Sequence, residues 1–199
     1  MKLKDYKLVF VAVGLAGVLL IASPALGAVL RFPGGEQFSE LYLLGPGHAA
    51  EGYPFNILVG KSYSVYVGVG NHLGSSAYYT LYVKLRNQTD ALPNATSGTP
   101  CPLQPLYEYK FALQDSAYWE SLLSFSVSSG YVAGNQSSVN QLTINGVKFD
   151  VNKPSAWDSN SSRFSYQLIF ELWLYDQSSD AVQFNMRLVD LKLNLIRTI

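Results

Sequence analysis

The sequence predicts an all-β protein: an antiparallel β-sandwich, immunoglobulin-like or jelly-roll-like, behind an N-terminal signal or hydrophobic segment. Three observations carry that reading. Beyond residue 36, apolar and polar residues alternate with a period of two over several stretches. Aromatic residues make up 14% of the chain and charged residues only 14%, a mixture that suits pleated, half-buried surfaces. An Asn-Gly pair also stands between strand-forming residues, the strongest short-range hairpin signal.

The chain opens with the basic stretch Met1 to Lys7, followed by 14 uncharged residues from Leu8 to Ile21 and then Ser23-Pro24-Ala25-Leu26-Gly27-Ala28. These are the parts of a secretory signal peptide, residues 1–27, with cleavage between Gly27 and Ala28. A second reading extends the apolar run to Leu30, 23 residues interrupted by Pro24, as a retained membrane anchor. Both readings put the remainder outside the cell, because the basic residues precede the apolar run. Residues 28–36 form an N-terminal extension. Within it Ala28, Val29, Leu30, Arg31 and Phe32 have strand composition, and Pro33-Gly34-Gly35 has hinge composition. Residues 37–199 are then one domain, as their length allows.

Within that domain, residues 62–70 alternate, with Tyr63, Val65, Val67 and Val69 on one face. Residues 77–86 repeat the pattern, with Tyr79, Leu81, Val83 and Leu85 inward and Thr80, Tyr82, Lys84 and Arg86 outward. Residues 105–113 and 122–127 are shorter strand candidates, and the four residues from Tyr118 to Ser121 fit a strand or one helical turn. Asn145-Gly146 closes a hairpin, and residues 164–175 form a long strand whose second face, with Ile169, Trp173 and Tyr175, is also apolar. In the last segment Val182, Phe184, Met186 and Leu188 share one parity while Val189, Leu191, Leu193 and Leu195 share the other. That phase change predicts a β-bulge near Leu188-Val189. About eight strands imply two packed sheets.

Zero net charge excludes an electrostatic grip on nucleic acid. Cys101 is the single cysteine and cannot close an intrachain disulfide. His48 and His72 are 24 residues apart with no ligand at metal spacing. The stretch from Gly68 to Gly74 misses the spacing of a phosphate-binding glycine loop and leads into another strand. A carboxylate pair such as Glu40 with Glu171 has no support beyond composition. These absences predict a non-enzyme without cofactor or metal. Tyr66, Tyr78, Tyr82 and Trp173 could present a sugar-stacking face or pack on the sheets, the commoner use of such residues. Asn87, Asn94, Asn135 and Asn160 begin Asn-X-Ser/Thr sequons in polar, loop-like stretches, which predicts N-glycosylation of an exported chain. Two of the four lie in residues 87–105, a stretch that also holds four of the nine prolines.

Phe38-Ser39-Glu40-Leu41-Tyr42-Leu43-Leu44-Gly45-Pro46, Glu51-Gly52-Tyr53-Pro54, Val59-Gly60 and Val67-Gly68-Val69-Gly70-Asn71-His72 before Tyr79-Thr80 resemble an archaeal family known mainly as a domain of unknown function. That resemblance covers residues 38 to about 86 and implies a membrane-associated or exported protein with an outward-facing β-rich domain. A signal followed by a small, sequon-bearing β-domain also resembles the subunits of archaeal thread filaments, thin surface fibres of Sulfolobus-type cells. That second resemblance implies β-sandwich subunits joined head to tail by donor-strand complementation and carrying N-glycans. Neither supplies catalytic residues. The expectation is a secreted subunit of a cell-surface filament, with Ala28 to Phe32 as donor strand, identical subunits and covalent glycans as partners, and membrane contact only before cleavage. The alternative is a membrane-tethered surface module that binds a glycan or protein.

Overall fold

The computed structural model describes residues 6–7, 11–15, 17–18 and 36–197. The chain divides into two compact units, residues 1–37 and 38–199. In the first, the described residues before residue 36 are helical, and no helix among the described residues is long and apolar enough to cross a membrane. The expected cleavage site at Gly27 and Ala28 and the expected donor strand Ala28 to Phe32 lie outside the described residues.

The second unit is almost entirely strand: β1 Phe38–Leu44, β2 Asn56–Leu58, β3 Tyr63–His72, β4 Ala77–Asn87, β5 Tyr107–Leu113, β6 Tyr118–Ala133, β7 Gln136–Ile144, β8 Val147–Asp158, β9 Arg163–Asp176 and β10 Ala181–Ile196. Eight of them form one hydrogen-bonded path, from which β4 and β5 branch at β9, and the whole folds over into two five-stranded layers. In the first layer β1, β3, β6, β7 and β8 are neighbours in that order. The second runs β5, β4, β9, β10, β2. The layers are joined at the β8–β9 hairpin through Trp157↔Phe164 and Asp158↔Arg163. All pairings are antiparallel except β2 with β10. The first strand region is thus split: β1 pairs in one layer and β2 in the other.

The alternation reading holds where one face meets the core. Val65, Val67 and Val69 of β3 and Tyr79, Leu81 and Val83 of β4 are fully buried, meeting Phe125 and Leu142 from one layer and Leu168, Phe170 and Leu172 from the other in one cluster. Burying each such side chain stabilises the fold by roughly 1.5–3 kcal/mol. Asn145 and Gly146 both take positive φ, 48° and 82°, the conformation of a two-residue hairpin turn of type I′.

Three expectations are settled or corrected. Tyr118 to Ser121, which fit a strand or one helical turn, are strand. Trp119 packs against the core and stacks on Phe111 with ring centroids 4.1 Å apart. The strands among the described residues number ten, because β1 and three-residue β2 carry too little alternation to stand out.

The third expectation concerns β10. Its irregularity falls between Phe184 and Arg187, where consecutive partners Trp173 and Leu172 of β9 face residues three apart. Met186 there takes φ 53°. Two extra residues are an even number, so the strand's facing is not reset. Phe184 therefore packs outside, against Trp173 at 5.8 Å, while Leu191, Leu193 and Leu195 enter the core. The change of phase in the sequence is a real change of face.

Candidate functional site

The outer face of the second layer is the first departure from a half-wet sheet. Thr80, Lys84 and Arg86 of β4, expected outward, do point away from the core, yet each is 9% exposed or less. The stretch 87–105 lies over them. Glu171 on β9, fully buried, accepts from Lys84 Nζ at 2.8 Å and from the Cys101 backbone N–H at 2.5 Å, and Lys84 also donates to the Cys101 carbonyl at 2.7 Å. The pair is a clamp holding the loop down. The suggested Glu40–Glu171 couple does not form: Glu40 stands on β1 in the other layer, and Glu171 is occupied by Lys84.

The same loop begins at Asn87, the last residue of β4. Its Nδ2, the atom a glycan would need, donates to the Pro154 carbonyl at 2.6 Å, and its Oδ1 accepts from the N–H groups of Thr89 and Asp90 at 3.0 and 3.1 Å. Asn87 is 5% exposed, an internal staple where the sequence suggested a loop edge. Asn94, Asn135 and Asn160 are exposed on turns or loops. Asp90 completes this corner, accepting from Lys153 Nζ at 2.7 Å and Asn87 N–H at 2.9 Å. Burial alone would raise its carboxyl, but those two donors and Arg86 together hold it below the usual carboxylate value.

Of the motif residues, Phe38 to Leu44 lie on β1 and Val67 to His72 on β3, while Gly45-Pro46, Glu51 to Pro54 and Val59-Gly60 lie in the connections between them. Asn71 points inward with no exposure; it donates to the carbonyls of Ser75, Leu113 and Gln114 and accepts from Tyr79 O–H and Leu73 N–H. Gly68 and Gly70 are required by rings lying on the sheet. A Cβ at Gly68 would run into the Tyr42 ring, and one at Gly70 would come within 2.8 Å of Tyr118. On this outer face His48 Nε2 meets Glu120 Oε1 at 2.5 Å, while His72 Nε2 lies 3.2 Å from Tyr118 Oη and 3.7 Å from Glu40. Burial, then the Glu120 carboxylate, pushes the Tyr42 phenol upward, so Tyr42 remains the donor to Glu120. Among the described residues no group of three His, Cys, Asp or Glu side chains could hold a metal ion.

Of the four proposed stacking residues, Tyr82 and Trp173 pack edge to face on the covered face, ring centroids 5.5 Å apart. Tyr66 packs on His48, and Tyr78 stands exposed. They sit on two different layers and do not form one face.

A groove of about 600 Å³ is lined by Leu43, Tyr53, Pro54, Phe55 and residues 188–192 of β10. It exists because β10 has 16 residues and β2 only three, pairing at Asn194–Ile196. Asn194 N–H donates toward β2, to the Phe55 carbonyl at 2.7 Å. By antiparallel alternation, Leu188, Asp190 and Lys192 turn their backbone groups to the same side, where no strand among the described residues pairs with them. Val189 and Leu191 face inward from the groove floor. The groove thus runs along five consecutive residues of a sheet edge above an apolar floor, and sequence alternation did not reveal it because it arises from the mismatch in strand lengths.

No curated protein sequence matches the chain. Among solved structures, a chain from the complex of zinc 2-glycoprotein with prolactin inducible protein from human seminal plasma is similar at 9% identity, covering 82% of this chain and 99% of that one with a TM-score of 0.40. A β-glucosidase from Listeria innocua bound to glucose is similar at 14% identity and a TM-score of 0.36, covering 80% of this chain but 17% of the enzyme. Likenesses of that size carry no argument about activity. The model of a domain of unknown function, DUF1616, matches residues 33–139, reaching past the motif strands β1 and β3 into β7. The chain belongs to the DUF1616 family, a domain of unknown function.

Proposed function

We propose that this protein is an exported, N-glycosylated structural subunit of an archaeal cell-surface filament, polymerising head to tail by donor-strand complementation. The observation that carries this reading is the groove beside β10. Residues 188–192 run along an edge that no strand among the described residues pairs, over an apolar floor, and the segment Ala28-Val29-Leu30-Arg31-Phe32 supplies five residues of strand composition. An added strand satisfies the free N–H and C=O groups and places alternate side chains, Ala28, Leu30 and Phe32, against Leu43, Val189 and Leu191. The donor belongs to the next copy. Donating at one segment and accepting at another makes the contact heterologous, and such contacts extend into fibres. Asn94, Asn135 and Asn160, exposed on turns or loops, are the glycan carriers. Asn87 is the internal staple described above.

The test is deletion of residues 28–32 from the secreted chain. The expected outcome is a folded monomer with the wild-type melting profile and no fibres by electron microscopy. Fibres of normal length from the deletion variant would end donation by residues 28–32, and a wild-type chain that forms no fibres and stays in the membrane fraction would leave a membrane-tethered binding module. For that second reading the exposed aromatic face at Phe38, His72 and Tyr118 is the supporting feature.

A further inference from the structure

A second, smaller groove of about 340 Å³ opens between the layers where the β6–β7 turn approaches the end of β10. Its walls include Val132, Asn135, Trp157, Phe164 and Ile196. Trp157 is the puzzle. It is 43% exposed, a large indole half in water on a hairpin that could have carried a polar residue. One ring flank is held edge to face by Phe164, centroids 5.1 Å apart. Its backbone N–H donates to the Asn135 carbonyl at 2.9 Å, which fixes the indole beside the first residue of the sequon Asn135-Gln136-Ser137. The Asn135 side chain is exposed and has no hydrogen-bond partner among the described residues, whereas Asn87 has its Nδ2 engaged.

We propose that this groove is an intramolecular cradle for the first sugar of a glycan carried on Asn135, with Trp157 as the stacking platform. The inference rests on the N-glycosylation part of the reading above and goes beyond it by assigning one sequon a structural role. Pyranose rings present a face of C–H groups that packs on an aromatic ring as other apolar surfaces do, while their hydroxyls stay in water. A sugar bound to Asn135 Nδ2 cannot travel far from its attachment atom, so it covers the indole with little further loss of entropy. In the modification step, Asn135 Nδ2 forms a bond to the anomeric carbon of a lipid-phosphate-linked oligosaccharide. The bond from that carbon to the lipid phosphate breaks, the phosphate departs with the electron pair, and the amide proton passes to a base of the membrane transferase. Ser137 is 1% exposed, with its hydroxyl 2.9 Å from Tyr166 Oη in the folded domain. The sequon is therefore open to the transferase only before β7 pairs, and the glycan is in place when the hairpin closes.

The full chain, secreted from a host that N-glycosylates, tests this by mass spectrometry of each sequon and by thermal melting. Asn135→Gln is the variant that removes the glycan, since changing Ser137 would also break the Tyr166 contact. The expected result is occupancy at Asn135 and a melting temperature about 2–4 °C above that of Asn135→Gln, the shift that about 1 kcal/mol produces in a domain this size. Trp157→Ala should keep the occupancy and abolish the gap, Trp157→Tyr should retain most of it, and Asn160→Gln, on the same hairpin as Trp157, should leave it unchanged. A gap of equal size with and without the Trp157→Ala substitution, with Asn135 occupied in both, would overturn the cradle while leaving glycosylation standing. If Trp157→Ala does not fold, loss of the gap in Trp157→Tyr overturns it instead. An unoccupied Asn135 in wild-type protein, with Asn94 and Asn160 occupied, would overturn the assignment at its root; three empty sequons would overturn the glycosylation reading with it.

Discussion

The outer faces of the two layers each carry acid–base pairs, and they lie in different surroundings. On the second layer, Lys84 and Glu171 are 4% and 0% exposed beneath the loop 87–105; on the first, His48, itself on the turn after β1, and Glu120 are 58% and 27% exposed. Strand chemistry is similar in both places: a short polar side chain, an acid and an aromatic on alternate positions. Coverage makes the difference. Once the loop excludes water, the charged atoms beneath it depend on protein partners: Glu171 receives bonds from Lys84 and the Cys101 N–H, while the neutral Thr80 Oγ1 has none among the described residues. On the open face water supplies what the protein does not, so Tyr118 and His48 remain half in solvent.

The largest way to break the contrast is to remove one member of the covered pair. Lys84→Met leaves the Glu171 carboxylate buried without its countercharge, and urea denaturation should report a loss of about 3–5 kcal/mol. Glu171→Leu should cost a similar amount, whereas the double variant should lose less than either single change, because two apolar side chains replace two buried charges. A double variant as unstable as the sum of the singles would mean that the pair is not what the loop rests on.

Next in size is the loop's hinge. Asp90 accepts from Lys153 and from Asn87 N–H, and Asp90→Asn should lose about 1.5–3 kcal/mol at pH 7, as for hydrogen bonds to a charged group. A carboxyl held below its ordinary value of 3.8 binds protons more readily in the unfolded chain. Its stabilisation is therefore full above that value and disappears as pH falls through the lower folded value. Denaturation profiles from pH 7 down to about 2 should show the wild-type chain converging on Asp90→Asn at the acid end. A constant gap across that range would remove Asp90 from the account.

The smallest effect belongs to the open face. His48→Ala should change stability by less than about 1 kcal/mol, since exposed polar side-chain pairs contribute little. A loss as large as that of Lys84→Met would show that this face is covered in the assembled protein.

The same contrast marks what the sequence makes legible. Period-two alternation identifies β3, β4 and β9 and their inward residues, because a dry core on one side imposes a pattern. It places Lys84 and Arg86 on the outer face correctly but gives no sign that they are buried, since burial comes from a loop joined to the sheet by backbone contacts such as those of Cys101. The phase change in β10 is visible, but its resolution is not. Parity cannot distinguish a one-residue bulge that restores facing from a two-residue one that leaves Phe184 on Trp173. Asn71 reads as part of a glycine-rich stretch, and its five hydrogen bonds emerge only when β3, β4 and the end of β5 converge. The β10 groove is least legible of all, because it is an open edge and no residue type marks it.

Donation of a strand to that edge is the central claim, and a thiol trap addresses it directly. Cys101 is 2% exposed, so it stays out of reach while cysteines are introduced by Leu30→Cys in one preparation and Leu43→Cys in another. Mixed and oxidised, the two single-variant chains should give a disulfide-linked pair containing one of each, and no such pair should form when the acceptor substitution is Tyr78→Cys, an exposed position away from the groove. Fibres that assemble normally with no mixed disulfide, or a disulfide that forms only when Leu30→Cys and Leu43→Cys are in one chain, would contradict donation from one subunit to the next.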